Sequence, residues 1–248
     1  GVISIIAATT PTSSVEPTLS SPSPSQGGGR RRARALAVVI VAASLVLGLI
    51  ALTSSRRDSA SNAGNDSTWR GTVLPAEQGK PDLVLTDTSG RPFDLAAQTE
   101  GQLTLLMFGY TNCPDICPIS VAALASALDS LDPSVAASVR MVFITADPER
   151  DTPERLRRFL DQFDDSFIGL TGSIHQIDAA QAAAKVPLAT REEADVGGDY
   201  DVGHATQMIA YQADGTARIV YPFGTRESDW ARDLPRLVAG EIPEAQQR

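Results

Sequence analysis

The chain has 248 residues, 42% of them hydrophobic, and carries 21 Lys and Arg against 30 Asp and Glu for a formal net charge of -9. That apolar content is ample for a core, and the length leaves room for segments outside one ordinary domain. Residues 61–248 hold 15 Lys and Arg against 28 Asp and Glu, a net of -13, which argues against nucleic acid or anionic lipid as a partner and leaves a cationic metal or a basic protein patch open.

Residues 1–29 are read as disordered, because Pro11 to Gly29 is built almost entirely of Pro, Ser, Thr and Gly and cannot bury enough apolar surface to offset the entropy of ordering. Residues 30–52 come next as a basic flank and a transmembrane anchor. Arg30, Arg31, Arg32 and Arg34 precede a run from Ala35 to Leu52 whose only polar side chain is Ser44. As a helix those residues reach roughly 27 Å, near the ~30 Å hydrocarbon thickness of a bilayer. The arginines place the N-terminus in the cytoplasm, a bias that Arg56 and Arg57 weaken without reversing. A cleaved signal peptide is the alternative. Either reading puts residues 53–248 on the extracytoplasmic side of the cell membrane, as a single-pass protein if the anchor is retained. Residues 53–68 read as a flexible tether, and residues 69–248 as the exported domain.

Within that domain, Leu83–Thr86 and Phe93–Leu95 flank a turn-rich link and predict a small hairpin. The apolar run Leu103 to Gly109 predicts a strand buried on both faces. Ile119 to Leu131 predicts a helix, and Val139 to Thr145 the next strand. A second helix is expected to be capped by Asp151, with Pro153 in its first turn and Glu154 at capping-box spacing, and to run to about Phe163. Phe167–Leu170 predicts a short strand and Ser173 to Lys185 a helix. Thr206–Tyr211 and Ala217–Tyr221 predict a hairpin turning on Asp214-Gly215. A last helix, about Glu227 to Ala239, contains Pro235, where a kink or break is expected. This order implies an α/β fold of thioredoxin-like architecture, a mixed central sheet flanked by helices, preceded by the one transmembrane helix.

The chemistry concentrates in Phe108-Gly109-Tyr110-Thr111-Asn112-Cys113-Pro114-Asp115-Ile116-Cys117-Pro118. These are the only cysteines, so scattered structural disulfides are excluded; a lone close pair outside the cytosol can be a disulfide, a chelate, or each at different times. If Cys113 opens a helix, Cys117 falls one turn later on the same face and both sulfurs can converge on one ion. A helix N-terminus also favours thiolate. The spacing is one residue longer than the Cys-x-x-Cys of oxidoreductases, which favours a shared metal while allowing a disulfide. Soft thiolates suit copper, zinc or iron–sulfur clusters. Structural zinc normally wants four ligands, and His175 and His204 lack zinc-finger spacing. Copper, a redox dithiol, zinc and an inert disulfide all stay open on spacing alone.

The motif resembles the signature of the Sco/SenC family of copper proteins. The likeness extends through Asp147-Pro148-Glu149-Arg150-Asp151-Thr152-Pro153-Glu154, through Phe167-Ile168-Gly169-Leu170-Thr171-Gly172 and through the Asp-Gly hairpin, covering roughly Pro81 to Trp230. The resemblance implies a thioredoxin-like, membrane-tethered copper chaperone that helps to build the dinuclear copper site of cytochrome c oxidase subunit II, or a thiol-disulfide reductase acting on that acceptor's cysteines. It also implies that Cys113, Cys117 and His204 ligate copper as Cu(I) or Cu(II), with Cys113 and Cys117 able to form a redox-active disulfide. One departure stands out: the family usually has Asp immediately before this His, whereas Gly203 stands here, with Asp201 and Asp199 nearby. Second-shell partners orient such ligands, so the ring's orientation and the hold on Cu(II) are the points that Gly203 puts in question. His175 reads as a solvated side chain and Asp115 as a residue favoured near a helix N-terminus. Asp147 to Asp151 reads as helix capping plus a solvated charge cluster, although ligand loops also lie at strand ends. Phe108 and Tyr110 read as packing.

Overall fold

The computed structural model describes residues 68–191 and 200–243. The expected disordered segment 1–29, the basic flank and anchor 30–52, the tether up to residue 67, and Asp199 lie outside the described residues. Among the described residues no helix is long and apolar enough to cross a membrane.

The elements in chain order are β1 (Thr72–Gly79), β2 (Val84–Asp87), β3 (Pro92–Asp94), α1 (Leu95–Gln98), β4 (Leu103–Gly109), α2 (Ile116–Ser130), α3 (Pro133–Ala136), β5 (Val139–Thr145), α4 (Pro153–Leu160), β6 (Ile168–Thr171), α5 (Ile174–Ala183), β7 (Thr190–Arg191), β8 (Val202–Gly203), β9 (Met208–Tyr211), β10 (Thr216–Tyr221) and α6 (Glu227–Val238). Eight strands form one sheet in the order β1-β10-β9-β4-β5-β6-β2-β3, and β7 with β8 makes a separate two-stranded ribbon. The β4–β5 and β5–β6 pairs are parallel and the rest antiparallel. The sheet is therefore mixed, as expected.

All seven residues of β4 are buried. Successive side chains point to opposite faces: Leu105 and Met107 join a core with α2, α4 and α6, while Leu106 and Phe108 join a second core with α5. Covering both faces is what makes β4 a continuous apolar run. Gly109 ends the strand opposite Thr145 of β5, so the cysteine loop leaves from the carboxyl edge of the parallel strands, where ligand sites of such sheets lie. β9 runs antiparallel to β4 with Met208 opposite Met107, which delivers the residues before β9 to that same edge.

Three expectations are corrected and one strand is added. The helix at residue 116 starts with Asp115 as its N-cap, so Cys113 lies in the preceding turn and only Cys117 is helical. The cap of α4 is Thr152, whose hydroxyl accepts from the Arg155 N–H, with Pro153 in the first turn; Asp151 is drawn inward by partners on other elements, and α4 stops at Leu160. α6 runs unbroken through Pro235 because Trp230, Leu234 and Leu237 bury one face of it, and packing of an apolar face outweighs one missing backbone bond. The edge strand β1 is absent from the sequence reading: it carries Pro75, and its pairing with β10 shifts register between Val73 and Gln78, which hides any alternating pattern.

Candidate metal centre

Cys113 sits in a tight turn, its N–H donating to the Tyr110 carbonyl at 3.2 Å. The Cys117 N–H in turn donates to Cys113 Sγ at 3.5 Å. The sulfur thus lies at the start of α2 and accepts from an N–H of its first turn, as an anion at a helix start does. Asp115, exposed, caps its own helix by accepting from the Ile116 N–H at 2.6 Å.

His204 comes directly after the ribbon strand β8. Its Nε2 lies 3.6 Å from Cys117 Sγ, and the two sulfurs and a ring nitrogen all lie within 4.8 Å of one another, the only such cluster among the described residues. The structure therefore brings together the three residues singled out in the sequence. Both cysteines are free thiols and buried. His204 Nδ1 is 2.8 Å from the Ala205 carbonyl. A carbonyl only accepts, so in the neutral ring Nδ1 carries the hydrogen and Nε2 turns its lone pair toward the sulfurs.

That carbonyl partners the ring, although Gly203 leaves no carboxylate at the adjacent position. At Gly203 the space for a Cβ is occupied, since it would fall 2.6 Å from Thr190 Oγ1 across the β7–β8 ribbon. Asp201 instead accepts from the Tyr110 hydroxyl at 3.5 Å. Tyr110 meets the His204 ring edge-on, centroids 5.6 Å apart.

The two thiols are electrostatically unlike. Cys113 is brought down to about 5, first by the hydrogen bond that the Cys117 thiol donates to it, then by the N–H groups of Cys117 and Asp115, against the opposing effect of burial. Cys117 is pushed up because it donates to Cys113 and because it is buried beside that thiolate. Burial raises the Tyr110 phenol to about 12, so it remains a donor. The arrangement offers one thiolate, one thiol that shares its proton, and one imidazole lone pair. Those are soft and borderline donors suited to Cu(I) or zinc, but one short of the usual structural zinc set.

The segment 147–151 departs most from its sequence reading. Asp147 and Asp151 are both fully buried, not solvated. Asp151 accepts from the Thr111 N–H at 2.9 Å, the Thr111 hydroxyl at 2.5 Å and the Thr145 hydroxyl at 2.7 Å; burial is the first cause that raises its carboxyl. Asp147 accepts from the Tyr200 hydroxyl at 2.7 Å and pairs with Arg150. His175 is exposed in the first turn of α5 and lies outside the cluster. Phe108 and Tyr110 are buried, as expected. Sequence reasoning misses Thr111, Tyr200 and the inward role of Asp151, and the one hint is the placement of Asp147 to Asp151 just after a strand.

The sequence model of a family described as SCO1/SenC matches residues 73–239. A protein of Stutzerimonas stutzeri, provisionally named as copper-binding, is 35% identical over 169 residues, which are 68% of this chain and 81% of that relative. The chain spans only 41–54% of the length of the mitochondrial SCO proteins of Saccharomyces cerevisiae and Arabidopsis and of the sco1 protein of Schizosaccharomyces pombe that it matches. Among solved structures, apo Sco1 from Thermus thermophilus superposes with a TM-score of 0.63 at 30% identity, covering 70% of this chain and 99% of that one. The copper-bound ScoI of Bradyrhizobium japonicum superposes at 0.58 with 31% identity, covering 64% and 99%.

Proposed function

Because this chain belongs to the SCO1/SenC family, we propose that it carries a copper ion as cargo on Cys113, Cys117 and His204 and assists assembly of the dinuclear copper site of cytochrome c oxidase subunit II. The observation that carries this reading is the convergence of two sulfurs and a ring nitrogen within 4.8 Å. A two- or three-coordinate set suits Cu(I), and it releases an ion by ligand exchange more readily than a closed four-ligand cage. Cys113 is already a thiolate near neutral pH, so only the Cys117 proton must leave when the ion enters. Relatives named for copper and solved with copper bound support the choice of metal. We also propose that Ala35 to Leu52 anchors the protein in the cell membrane with the domain on the extracytoplasmic side.

One observation favours a second activity at the same site. A low-pKa thiolate paired with a buried thiol is the asymmetry of a thiol-disulfide reductase. The Cys113 thiolate would attack one sulfur of an acceptor disulfide, releasing the other as thiolate. Cys117, on losing its proton, would then attack the Cys113 sulfur of the mixed disulfide. The products are a Cys113–Cys117 disulfide here and two thiols on the acceptor, with two electrons transferred.

Two measurements separate these readings. The reduced protein should take up one copper ion per chain, and His204→Ala should weaken Cu(II) binding while leaving disulfide formation intact. No copper uptake by the reduced protein would sink the chaperone reading. In cells lacking the protein, His204→Ala should fail to restore oxidase assembly if delivery dominates, and should restore it, while Cys113→Ser fails, if reduction dominates.

A further inference from the structure

The thiol loop and the imidazole loop lie far apart in the chain, with Cys117 and His204 separated by 87 residues. The last strand before His204, β8, belongs to the two-stranded ribbon with β7 and not to the main sheet. The main-sheet ladder therefore holds His204 only from its C-terminal side, through β9, and not from the side of residues 200–203. Both loops are, however, bonded to one five-residue turn.

On the thiol side, the fully buried Asp151 takes three hydrogen bonds, two of them from Thr111, two residues before Cys113. On the imidazole side, Tyr200, four residues before His204, donates to Asp147 Oδ1 at 2.7 Å. The Tyr200 ring also lies 3.6 Å from the Arg150 guanidinium carbon, and that guanidinium is ion-paired with the same Asp147. The turn itself is closed by backbone bonds from the Arg150 and Asp151 N–H groups to the Asp147 carbonyl, at 3.2 and 2.9 Å. Arg150 also stands 5.8 Å from the Tyr110 ring, which meets His204 edge-on.

We propose that residues 147–151 act as a two-sided brace that sets the imidazole loop in register with the thiol loop, with Tyr200 and Arg150 as positioning residues for His204. The proposal rests on the copper-site reading of Cys113, Cys117 and His204. Its consequence is selective: Cu(I) can be held by the two sulfurs, whereas Cu(II) depends on the nitrogen donor, so loosening the brace should affect Cu(II) far more than Cu(I). A rigid aromatic–guanidinium clasp suits such a role, because Arg presents a planar, preorganised face.

The test uses the full chain with Tyr200→Phe, which keeps the ring on Arg150 and removes only the hydroxyl donor, and with Arg150→Lys, which keeps the charge and removes the plane. Each should weaken Cu(II) affinity about tenfold, or ~1.4 kcal/mol, with less than about a twofold effect on Cu(I). In a His204→Ala background the same changes should have no further effect on Cu(II), because a positioning residue acts only through the group it positions. In the copper-free protein, amide hydrogen exchange over residues 200–206 should speed up about tenfold in Tyr200→Phe while α2 is unchanged. Additive effects of Tyr200→Phe and His204→Ala, or equal losses for both copper states, overturn the brace. If the wild-type protein takes up no copper, the proposed function fails and the exchange measurement alone decides the brace, with unchanged exchange over 200–206 refuting it.

Discussion

Replacing Gly109 with Ala tests how tightly the sheet edge grips the sulfur of Cys117. A Cβ on Gly109 would fall 2.6 Å from Phe143 Cζ and 2.8 Å from Cys117 Sγ. Carbon contacts are optimal near ~3.5–4.0 Å, so the shortfall is about an ångström on each side. Neither neighbour can yield cheaply. Phe143 is fully buried with its ring 5.5 Å from that of Phe159, and Gly109 is held in the β4–β5 ladder opposite Thr145, with its carbonyl accepting the Ala146 N–H at 2.6 Å. Overpacking a core costs about 1–3 kcal/mol, and two contacts at once point to the top of that range. At roughly 2–4 °C per kcal/mol for a domain of this size, Gly109→Ala should lower the thermal midpoint by about 6–12 °C. Circular dichroism on the reduced, metal-free protein reads this directly. Phe143→Leu removes the clashing ring atoms, so the double variant should lose less than the sum of the two singles. A Gly109→Ala midpoint within about 2 °C of wild type, or strict additivity with Phe143→Leu, would refute the close approach.

The charges and caps set four further outcomes. Cys113, held at about 5, should react with iodoacetamide at a nearly constant rate from about pH 6.5 to about pH 8, with the rate falling by half near its folded value, while Cys117 stays unlabelled until the protein is denatured. A thiol lowered on folding stabilises fully above its unfolded value and loses that contribution as pH falls through about 5, so wild type minus Cys113→Ser stability should shrink across that window. Asp233 is buried and accepts from the Arg70 N–H at 2.7 Å and the Tyr221 hydroxyl at 2.9 Å, with no partner for Oδ1 among the described residues; Asp233→Ala should cost about 2–4 kcal/mol in urea denaturation by orphaning two donors, and Asp233→Asn, which keeps one acceptor, much less. Ser173→Ala removes the hydroxyl half of the capping box with Gln176 at the start of α5 and should cost about 0.5–2 kcal/mol by the same assay.

β4 and β5 are legible in the sequence because burial on both faces turns a strand into an uninterrupted apolar run, and both bounds agree with those read from the residues. The cysteine pair is legible from spacing as a reactive pair; its partner His204 becomes so only through the family resemblance, since nothing local to Gly203-His204-Ala205 distinguishes a ligand from a turn. What stays hidden has a common cause. Asp151 looks like a helix cap because of Pro153 and Glu154 just after it, yet Thr111 and Thr145 from other elements claim its carboxylate, and tertiary partners override a local signal. The ring partner of His204 is a backbone carbonyl, which no side-chain pattern can announce. The edge strand β1 hides behind a register shift and a proline.

The 87-residue sequence separation of Cys117 and His204 also imposes an order in time. During synthesis both sulfurs emerge before β5, α4, β6 and the ribbon exist, and long before β9 seats against β4. Until β9 pairs with β4 the imidazole is a remote group on a long loop, so a soft ion met at that stage finds only a two-sulfur site. The complete set of three donors is a property of the finished sheet, and an ion held by all three would therefore report that the C-terminal third of the domain has folded.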